Sequence, residues 1–144
     1  MSIIWLTGQP GSGKTTLAKA IMELDYGSNW FHIDGDDIRE LFNNKDYSKE
    51  GRMKNVELAQ QLAQYLNSKG QDVIVSLVSP YKEQRDSFKT KLENAIKEVY
   101  VHTSEVRGRE QFFVEDYEAP TENYIDMDTT NITVAECVEK LFKK

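Results

Sequence analysis

A glycine-rich loop close to the amino terminus restricts this chain to very few folds. The loop reads Gly8-Gln9-Pro10-Gly11-Ser12-Gly13-Lys14-Thr15 and matches the phosphate-binding pattern GxxxxGK[ST] at every position. A short apolar run at residues 3–7 precedes it, and apolar residues at helical spacing follow it over residues 14–24. A strand, a loop and a helix in this order form a P-loop, so the sequence predicts an α/β nucleotide-binding domain.

The rest of the chain alternates between strand-like runs and amphipathic helical segments. We predict strands at residues 3–7, 30–33, 72–78, 98–102 and 124–127. We predict helices at residues 14–24, 51–68, 81–93 and 133–142, the last with a capping box formed by Thr133 and Glu136. This alternation is typical of a three-layer α/β/α fold with a mostly parallel five-stranded sheet, here the P-loop NTPase (kinase) fold. One domain over residues 1–144 accounts for the chain length.

Each part of the loop has a chemical reason to hold phosphate. The glycines let backbone N–H groups face one concavity, and the following helix adds the partial positive charge of its N-terminus. Lys14 reaches the outer phosphates, the Thr15 hydroxyl is a ligand for Mg²⁺, and Thr16 offers a hydroxyl to an inner phosphate. We therefore predict that a nucleoside triphosphate binds with Mg²⁺ at Gly8, Gln9, Pro10, Gly11, Ser12, Gly13, Lys14, Thr15 and Thr16.

Three carboxylates follow the second predicted strand, in the run Asp34-Gly35-Asp36-Asp37-Ile38-Arg39. Asp34 ends the strand and Asp36 starts a helix, so we expect both to face the cleft at the carboxyl ends of the strands. Asp36 would orient an acceptor hydroxyl, or would join Thr15 in positioning Mg²⁺. Arg39 lies one helical turn further on the same face, where it suits an anionic acceptor. The alternative is that Asp36 or Asp37 is a helix N-cap and that Arg39 is a surface partner.

Two further segments lie where a second substrate would bind. Arg52 and Asn55 are three residues apart at the start of the long helix and so share a face. The run Ser79-Pro80-Tyr81 ends the central strand, at the same edge of the sheet as the P-loop. Each segment also has a simpler interpretation, the first as a solvated helix start and the second as a strand terminator.

The composition excludes several classes of protein. The net charge is −6, and all of it falls between residues 105 and 128, where eight acids accompany two bases. A chain with this acidic balance and no basic stripe is a poor candidate for nucleic-acid binding. The single Cys137 and the distant His32 and His102 provide neither a disulfide framework nor a Cys/His metal site. The sequence has no apolar run of membrane-spanning length and no signal peptide, so we expect a cytoplasmic protein.

Six blocks of sequence together resemble the adenylylsulfate kinase (APS kinase) family. They are GQPGSGKT, DGDDIR, RMKN, IVSLVSPYKEQRD, YEAP and TVAECV, at residues 8–15, 34–39, 52–55, 74–86, 117–120 and 133–138. Any single block after the P-loop is weak evidence. The blocks occur in the order typical of the family and cover most of the chain, which makes the combination specific.

The resemblance implies an enzyme that transfers the γ-phosphate of ATP to the 3′-hydroxyl of adenosine 5′-phosphosulfate, giving 3′-phosphoadenylylsulfate in sulfate assimilation. It implies that Asp36 orients or deprotonates that hydroxyl, with Lys14 and Arg39 as further catalytic residues. It implies that Arg39, Arg52 and Asn55 hold the phosphosulfate and that Tyr47 stacks on the substrate base. The other residues implied for this pocket are Asp34, Val78, Ser79 and Tyr81. A homodimer is implied as well.

The chain departs from the family pattern in three places, of which one is the loop at residues 43–48, one residue shorter than in the family. Asp37 stands where the family has an asparagine, which adds negative charge near an anionic substrate. The lid, at about residues 103–120, is short and acidic, whereas the family has a long and basic one. Its candidate site residues are Arg107, Arg109, Phe112 and Phe113. We expect the arginines to offer charge to the phosphates. The phenylalanines would form a second face for the base or a packing anchor.

These departures leave three other functions open. The first is a kinase of the same build that acts on another small hydroxyl acceptor, such as a nucleoside, a sugar acid or a polynucleotide end. The second is a nucleotide-dependent switch, which would need segments that order around the γ-phosphate and no acceptor pocket. The third is a homologue that binds nucleotide without catalysis, which the intact Lys14, Thr15 and Asp36 argue against.

Overall fold

The computed structural model describes residues 2–23 and 30–142, which form one parallel sheet with helices on both faces. The strands are β1 (Ile3–Thr7), β2 (Trp30–Asp34), β3 (Asp72–Ser76), β4 (Ile96–His102) and β5 (Tyr124–Asp128). The helices are α1 (Lys14–Met22), α2 (Gly35–Leu41), α3 (Lys49–Ser68), α4 (Lys82–Leu92) and α5 (Val134–Phe142). The strand order is β2-β3-β1-β4-β5, and every neighbouring pair is parallel. The predicted three-layer fold is therefore confirmed.

Two apolar clusters separate the three layers. Alternate residues of β1 enter opposite clusters, because successive side chains of a strand point to opposite faces. Ile4 packs with residues of α1 and α5, whereas Trp5 packs with residues of α2, α3 and α4. The β1 strand is buried along its whole length, as expected for the central strand of a parallel sheet covered on both faces.

The predicted element bounds differ from the observed ones at several ends. The β3 strand ends at Ser76 rather than at residue 78, because the chain leaves the sheet towards Ser79, which has a positive φ of 47°. The α3 helix begins two residues earlier than predicted, with Ser48 as its N-cap. The first helix was predicted to reach residue 24, but α1 ends at Met22. Residue 24 itself lies outside the described residues.

The capping box predicted for the last helix is present. The Thr133 hydroxyl accepts a hydrogen bond from the backbone N–H of Glu136 at 3.1 Å, and the Glu136 carboxylate accepts from the backbone N–H of Thr133 at 3.4 Å. This reciprocal pair satisfies two N–H groups that a helix start leaves without partners. Among the residues that the structure describes, no helix has both the length and the apolar character needed to cross a membrane.

Candidate active site

A cleft of about 1020 Å³ opens at the carboxyl ends of the strands, between the P-loop, α2, α3 and the lid. It is the position at which open parallel sheets bind their ligands. The predicted residues that line it are Pro10, Gly11, Gly13, Lys14, Thr15, Thr16, Asp34, Asp36, Arg39, Tyr47, Arg52, Asn55, Val78, Ser79, Arg107, Arg109, Phe112 and Phe113. Gly35, Val56, Ser76, Leu77, Pro80, Gln111 and Val114 line it without having been predicted.

The P-loop has the backbone geometry that its glycines allow. Gly11 and Gly13 have φ values of 83° and 109°, in a region that residues with a side chain rarely adopt. Gly13 is the N-cap of α1, so the positive end of that helix faces the concavity of the loop. A Cβ added at Gly11 would lie 3.0 Å from the Cβ of Arg109. The small residue therefore lets the lid approach the loop closely.

The Lys14 side chain lies over the P-loop and is almost entirely buried. Its ammonium donates hydrogen bonds to the carbonyl oxygens of Gly8 and Gln9, both at 2.9 Å. Burial lowers the pKa of Lys14 from 10.5 to about 8, although the nearby carboxylate of Asp34 opposes the shift. Phosphate oxygens arriving in the loop would add negative charge next to this ammonium and so favour its charged form.

We expect the affinity for ATP to fall as the pH rises above about 8. The free protein loses the Lys14 proton there, whereas bound phosphates retain it, so binding above this pH must take up a proton. The dissociation constant of a non-hydrolysable ATP analogue should rise up to about tenfold per pH unit above 8. Titrations from about pH 7 to about pH 9.5 would measure this.

Lys14→Arg is the matched control for this titration, since a guanidinium stays charged throughout the range. Its affinity, even if weaker, should be nearly independent of pH. An equally flat profile for the parent protein would contradict the lowered pKa of Lys14.

The three aspartates after β2 have different environments. The Asp34 carboxylate accepts a hydrogen bond from the backbone N–H of Asp36 at 3.3 Å, so Asp34 is the N-cap of α2 and neither Asp36 nor Asp37 is. Asp36 lines the cleft, and its carboxylate has no ion pair or hydrogen bond within residues 2–23 and 30–142. Asp37 is exposed outside the cleft. The cluster thus leaves one free carboxylate facing the P-loop.

Gly35 explains how this carboxylate reaches the cleft. A Cβ at this position would lie 2.6 Å from the Cβ of Leu77. Only glycine lets the start of α2 pack so closely against the segment that follows β3.

Arg39 is engaged with the loop that precedes α3. Its Nη1 donates to the carbonyl oxygens of Asn44 and Asp46, at 3.2 and 3.0 Å. Its guanidinium lies 4.0 Å from the ring centroid of Tyr47, a cation–π contact. Arg39 therefore supports the exposed Tyr47 ring, a contact that its predicted catalytic and phosphosulfate-binding roles did not include. Spacing along a helix carries no information about such a loop contact.

Arg52 and Asn55 both reach the cleft, but with different partners. Arg52 forms a loose ion pair with Asp116 of the lid, at 3.8 Å. The side-chain nitrogen of Asn55 donates to the carbonyl of Gly35 at 3.3 Å. The buried side-chain oxygen of Asn55 has no hydrogen-bond partner among the described residues. Because this ion pair is loose, Arg52 is a cation that can turn to an anionic acceptor. Asn55 instead connects α3 to α2.

Four predicted residues are outside the lining of the cleft: Gly8, Gln9, Ser12 and Tyr81. Tyr81 is buried at the N-cap position of α4, with the Lys49 ammonium 5.0 Å from its ring centroid. Its hydroxyl has no hydrogen-bond partner within the described ranges. Burial raises the pKa of this hydroxyl, and the nearby Asp116 carboxylate adds to the shift while Arg52 opposes it. Its packing therefore differs from the predicted contact with substrate, and the neighbouring Pro80 lines the cleft instead.

The two lid arginines have distinct surroundings. Arg107 donates to the P-loop carbonyls of Gly11 and Ser12 and forms an ion pair with Glu105 at 2.9 Å. Arg109 stacks on Phe112, with its guanidinium 5.2 Å from the ring centroid, and this guanidinium has no hydrogen bond or ion pair in the part of the chain that is described. Arg109 is therefore the lid cation left free to meet a phosphate.

A buried polar network lies behind the cleft, and its residues were not predicted as part of the site. Arg85 forms an ion pair with Glu98 at 2.8 Å and donates to the Ser79 carbonyl at 2.7 Å. It also donates to the backbone carbonyl of Glu118, at the end of the lid. The Thr7 hydroxyl donates to the Val78 carbonyl at 2.7 Å. The network thus fixes the chain after β3, and Arg85 in the block at residues 74–86 was the one signal that could have suggested it.

The cleft suits Mg²⁺ bound together with a phosphate ligand. Thr15, Asp34 and Asp36 all line it, and Mg²⁺ is usually held by one or two carboxylates plus substrate phosphates. Across residues 2–23 and 30–142, no group of three or more His, Cys, Asp or Glu side chains could hold a metal alone. The residues present therefore fit a metal that arrives with the nucleotide.

Comparison with known proteins gives a family and a fold. A family model described as adenylylsulphate kinase matches residues 1–125. The adenylyl-sulfate kinase of Staphylococcus carnosus is 31% identical over 163 aligned residues, covering 98% of this chain and 82% of that protein. The APS kinase CysC of Mycobacterium tuberculosis, solved with AMPPNP and APS, superposes with a TM-score of 0.81 at 22% identity, covering 97% of this chain and 94% of that chain. At this low identity, the structural match supports the fold alone.

A further relative bears a different name. The cytidine diphosphoramidate kinase of Campylobacter jejuni is 38% identical over 102 residues, which cover 69% of this chain and 59% of that protein. The identity is higher than that of the Staphylococcus protein, but it extends over a shorter region.

Proposed function

The chain belongs to the adenylylsulfate kinase family, and we propose that it transfers the γ-phosphate of ATP to the 3′-hydroxyl of adenosine 5′-phosphosulfate. The product would be 3′-phosphoadenylylsulfate, an intermediate of sulfate assimilation. The observation that carries the proposal is the free carboxylate of Asp36, which faces the P-loop across a cleft lined by a second set of polar and aromatic residues. A nucleotide switch would need the loop without such a pocket.

The P-loop side of the cleft would hold ATP. Backbone N–H groups and the start of α1 surround the phosphates, and Lys14 balances the charge that develops on the transferred group. Thr15 and a carboxylate of Asp36 would hold Mg²⁺, which neutralises phosphate charge when bound. Asp36 would orient the acceptor hydroxyl in line with the γ-phosphorus and take its proton.

The opposite side of the cleft would hold the acceptor. Tyr47, supported by Arg39, offers an exposed ring on which a base can stack. Arg52 offers a guanidinium to the anionic part of the acceptor, once it leaves Asp116. Phe112 and Phe113 line the cleft from the lid and complete an apolar wall for the base. The two substrates thus have separate residues.

A second acceptor is favoured by one comparison. The relative named cytidine diphosphoramidate kinase is 38% identical over its match, so a cytidine nucleotide is the alternative acceptor. Incubation with Mg-ATP and each acceptor in turn, with ADP release as the readout, decides between the two. If ADP is released neither with adenosine 5′-phosphosulfate nor with the cytidine nucleotide, the proposed function is contradicted.

We expect Tyr47→Ala and Arg52→Ala each to raise the KM for the acceptor about tenfold or more while the KM for ATP changes less than about twofold. The reason is that base stacking contributes about 1–3 kcal/mol per base, and a charge-assisted hydrogen bond contributes a similar amount. Steady-state kinetics with each substrate varied in turn would measure both constants.

Tyr65→Ala is the matched control for Tyr47→Ala, because Tyr65 is an equally exposed tyrosine on α3 that is outside the cleft lining. It should leave both constants unchanged. A rise in the KM for ATP as large as that for the acceptor would show that the second pocket is misplaced.

Further features of the protein follow from family membership as proposals. We infer that residues 1–144 act as one kinase domain, that the enzyme requires Mg²⁺ and that it works in the cytoplasm on a small-molecule substrate. We also infer a homodimer, which sedimentation velocity of the purified protein would test. We expect the activity to need neither a nucleic acid nor a membrane.

A further inference from the structure

Gln9, at a variable position of the P-loop pattern, connects the loop to the lid. Its side-chain nitrogen donates to the backbone carbonyl of Val114 at 2.8 Å. The backbone N–H of Val114 donates back to the side-chain oxygen of Gln9, also at 2.8 Å. The carboxamide thus pairs with one residue of main chain in both directions, across 105 positions of sequence.

The lid has a second attachment to the same loop at its other end. Arg107 donates to the carbonyls of Gly11 and Ser12, at 3.2 and 3.1 Å, and to that of Thr129 at 3.0 Å. The segment between the two attachments, residues 108–113, carries the cleft-lining Arg109, Phe112 and Phe113. We call this segment the lid arch.

We propose that Gln9 is a positioning residue, which holds the carboxyl-terminal end of the lid arch against the P-loop and so sets the wall of the acceptor pocket. The aromatic pair of the arch comes directly before Val114, so a displacement of Val114 moves both rings. This inference rests on the proposed function insofar as it concerns the acceptor. The attachment itself does not depend on which acceptor is used.

The composition of the lid arch makes the attachment important. Residues 106–113 are all exposed, so little apolar burial holds them in place, and Val114 is the first buried residue after them. The hydrogen bonds within the arch belong to one short 3-10 turn at Glu110–Phe112 and to the Glu110 carboxylate, which accepts from the backbone N–H groups of Arg107 and Gly108. One exposed turn does not fix its own position on the protein, so the position of the arch depends on the contacts at its ends.

The chemistry of the pair also suits its place beside a phosphate site. A carboxamide is neutral, so it neither competes with Lys14 for phosphate nor repels the nucleotide. Because the Val114 partner is main chain, the pairing is independent of the side chain at that position. Both groups of the carboxamide are paired, so removing it leaves the partly buried N–H of Val114 without a partner. The Val114 carbonyl then keeps only the longer hydrogen bond from the backbone N–H of Tyr117, at 3.3 Å.

Two substitutions of Gln9 test the proposal. Gln9→Leu has a similar size and removes both hydrogen bonds, whereas Gln9→Asn keeps the carboxamide but is one methylene too short to reach Val114. Gln61→Leu, on the exposed face of α3, is the matched control. Trypsin cleavage after Arg107 and Arg109, followed by mass spectrometry, reports opening of the lid arch, and thermal unfolding reports the fold.

We expect both Gln9 variants to be cleaved in the lid arch about tenfold faster than the parent and the control, with unchanged thermal unfolding. Their acceptor KM should rise about tenfold, while the affinity for AMPPNP stays within about twofold of the parent value. The separation of acceptor KM from nucleotide affinity identifies a positioning role rather than a loss of structure.

Several results would overturn the proposal. They are parent-like cleavage rates in Gln9→Leu, a Gln9→Asn variant that behaves as the parent does, or a loss of AMPPNP affinity without faster cleavage. The last would make Gln9 part of the phosphate site. If the parent releases no ADP with either nucleotide acceptor but the cleavage rates differ as expected, the proposed function fails and the attachment of the lid by Gln9 stands.

Discussion

Lys14→Met should reduce phosphoryl transfer by about 10³-fold or more while the protein stays folded. A single preorganised donor to a developing charge is worth about 10²–10³ in rate, and Lys14 is also the cation inside the phosphate loop. Methionine keeps much of the packed stem, so the change removes the charge without leaving a large cavity. ADP release with Mg-ATP and acceptor would measure the rate.

The thermal stability of Lys14→Met should equal or exceed that of the parent. Burial lowers the pKa of Lys14 to about 8, so at neutral pH the folded state carries a charged group that its surroundings disfavour. Lys19→Met, an exposed position on the same helix, is the control and should retain full activity. Parent-like turnover by Lys14→Met would remove the P-loop from the proposed mechanism.

The alternation of strand and helix patterns predicted the fold because each buried element carries its own local period. The β1 strand and α1 meet at a motif whose glycines are needed for the turn, so this part could be predicted nearly residue by residue. Element ends were less certain. The end of β3 depends on the positive φ of Ser79 and on the carbonyl contacts made there by Arg85 and Thr7, which no local pattern encodes.

The candidate site, like the fold, has a part that the sequence predicted and a part that it could not predict. Motif spacing predicted that Lys14 and Asp36 share one cleft, because residues at the carboxyl ends of parallel strands converge, and both line it. Arg52 also lines the cleft, but its place there was expected from the family resemblance, since it lies at the start of α3 and not at a strand end. The partners of these residues were not predictable. The contacts of Arg39 with Tyr47, and of Gln9 with Val114, join loops whose approach is set by tertiary packing.

The three aspartates after β2 show most clearly what the sequence alone could not decide. All three follow a strand and precede a helix, and each is a reasonable helix cap by sequence alone. The backbone geometry resolves the ambiguity, since Asp34 accepts from the N–H of Asp36 and thereby leaves the Asp36 carboxylate free. Asp37 falls on the exposed side of the same helical turn.

Asp36→Asn should therefore lower the rate of phosphoryl transfer about 10²–10⁴-fold, with a much smaller effect on ATP binding. The asparagine has nearly the same shape and can still accept a hydrogen bond, but it cannot take a proton from the acceptor hydroxyl. It also removes one negative ligand from the proposed metal position, so the measurement should be repeated at raised Mg²⁺. Recovery of the rate at high Mg²⁺ would show that Asp36 acts mainly through the metal, whereas a loss that persists at high Mg²⁺ would show that it acts mainly on the hydroxyl.

Asp37→Asn is the matched control, because it makes the same chemical change at the adjacent residue, outside the cleft. We expect its rate to be equal to that of the parent or slightly higher, since it removes a negative charge near a site for anionic substrates. The kcat of both variants, with AMPPNP affinity measured in parallel, separates the chemical step from binding. A loss at Asp37 as large as that at Asp36 would show that the free carboxylate facing the P-loop is not what carries the reaction.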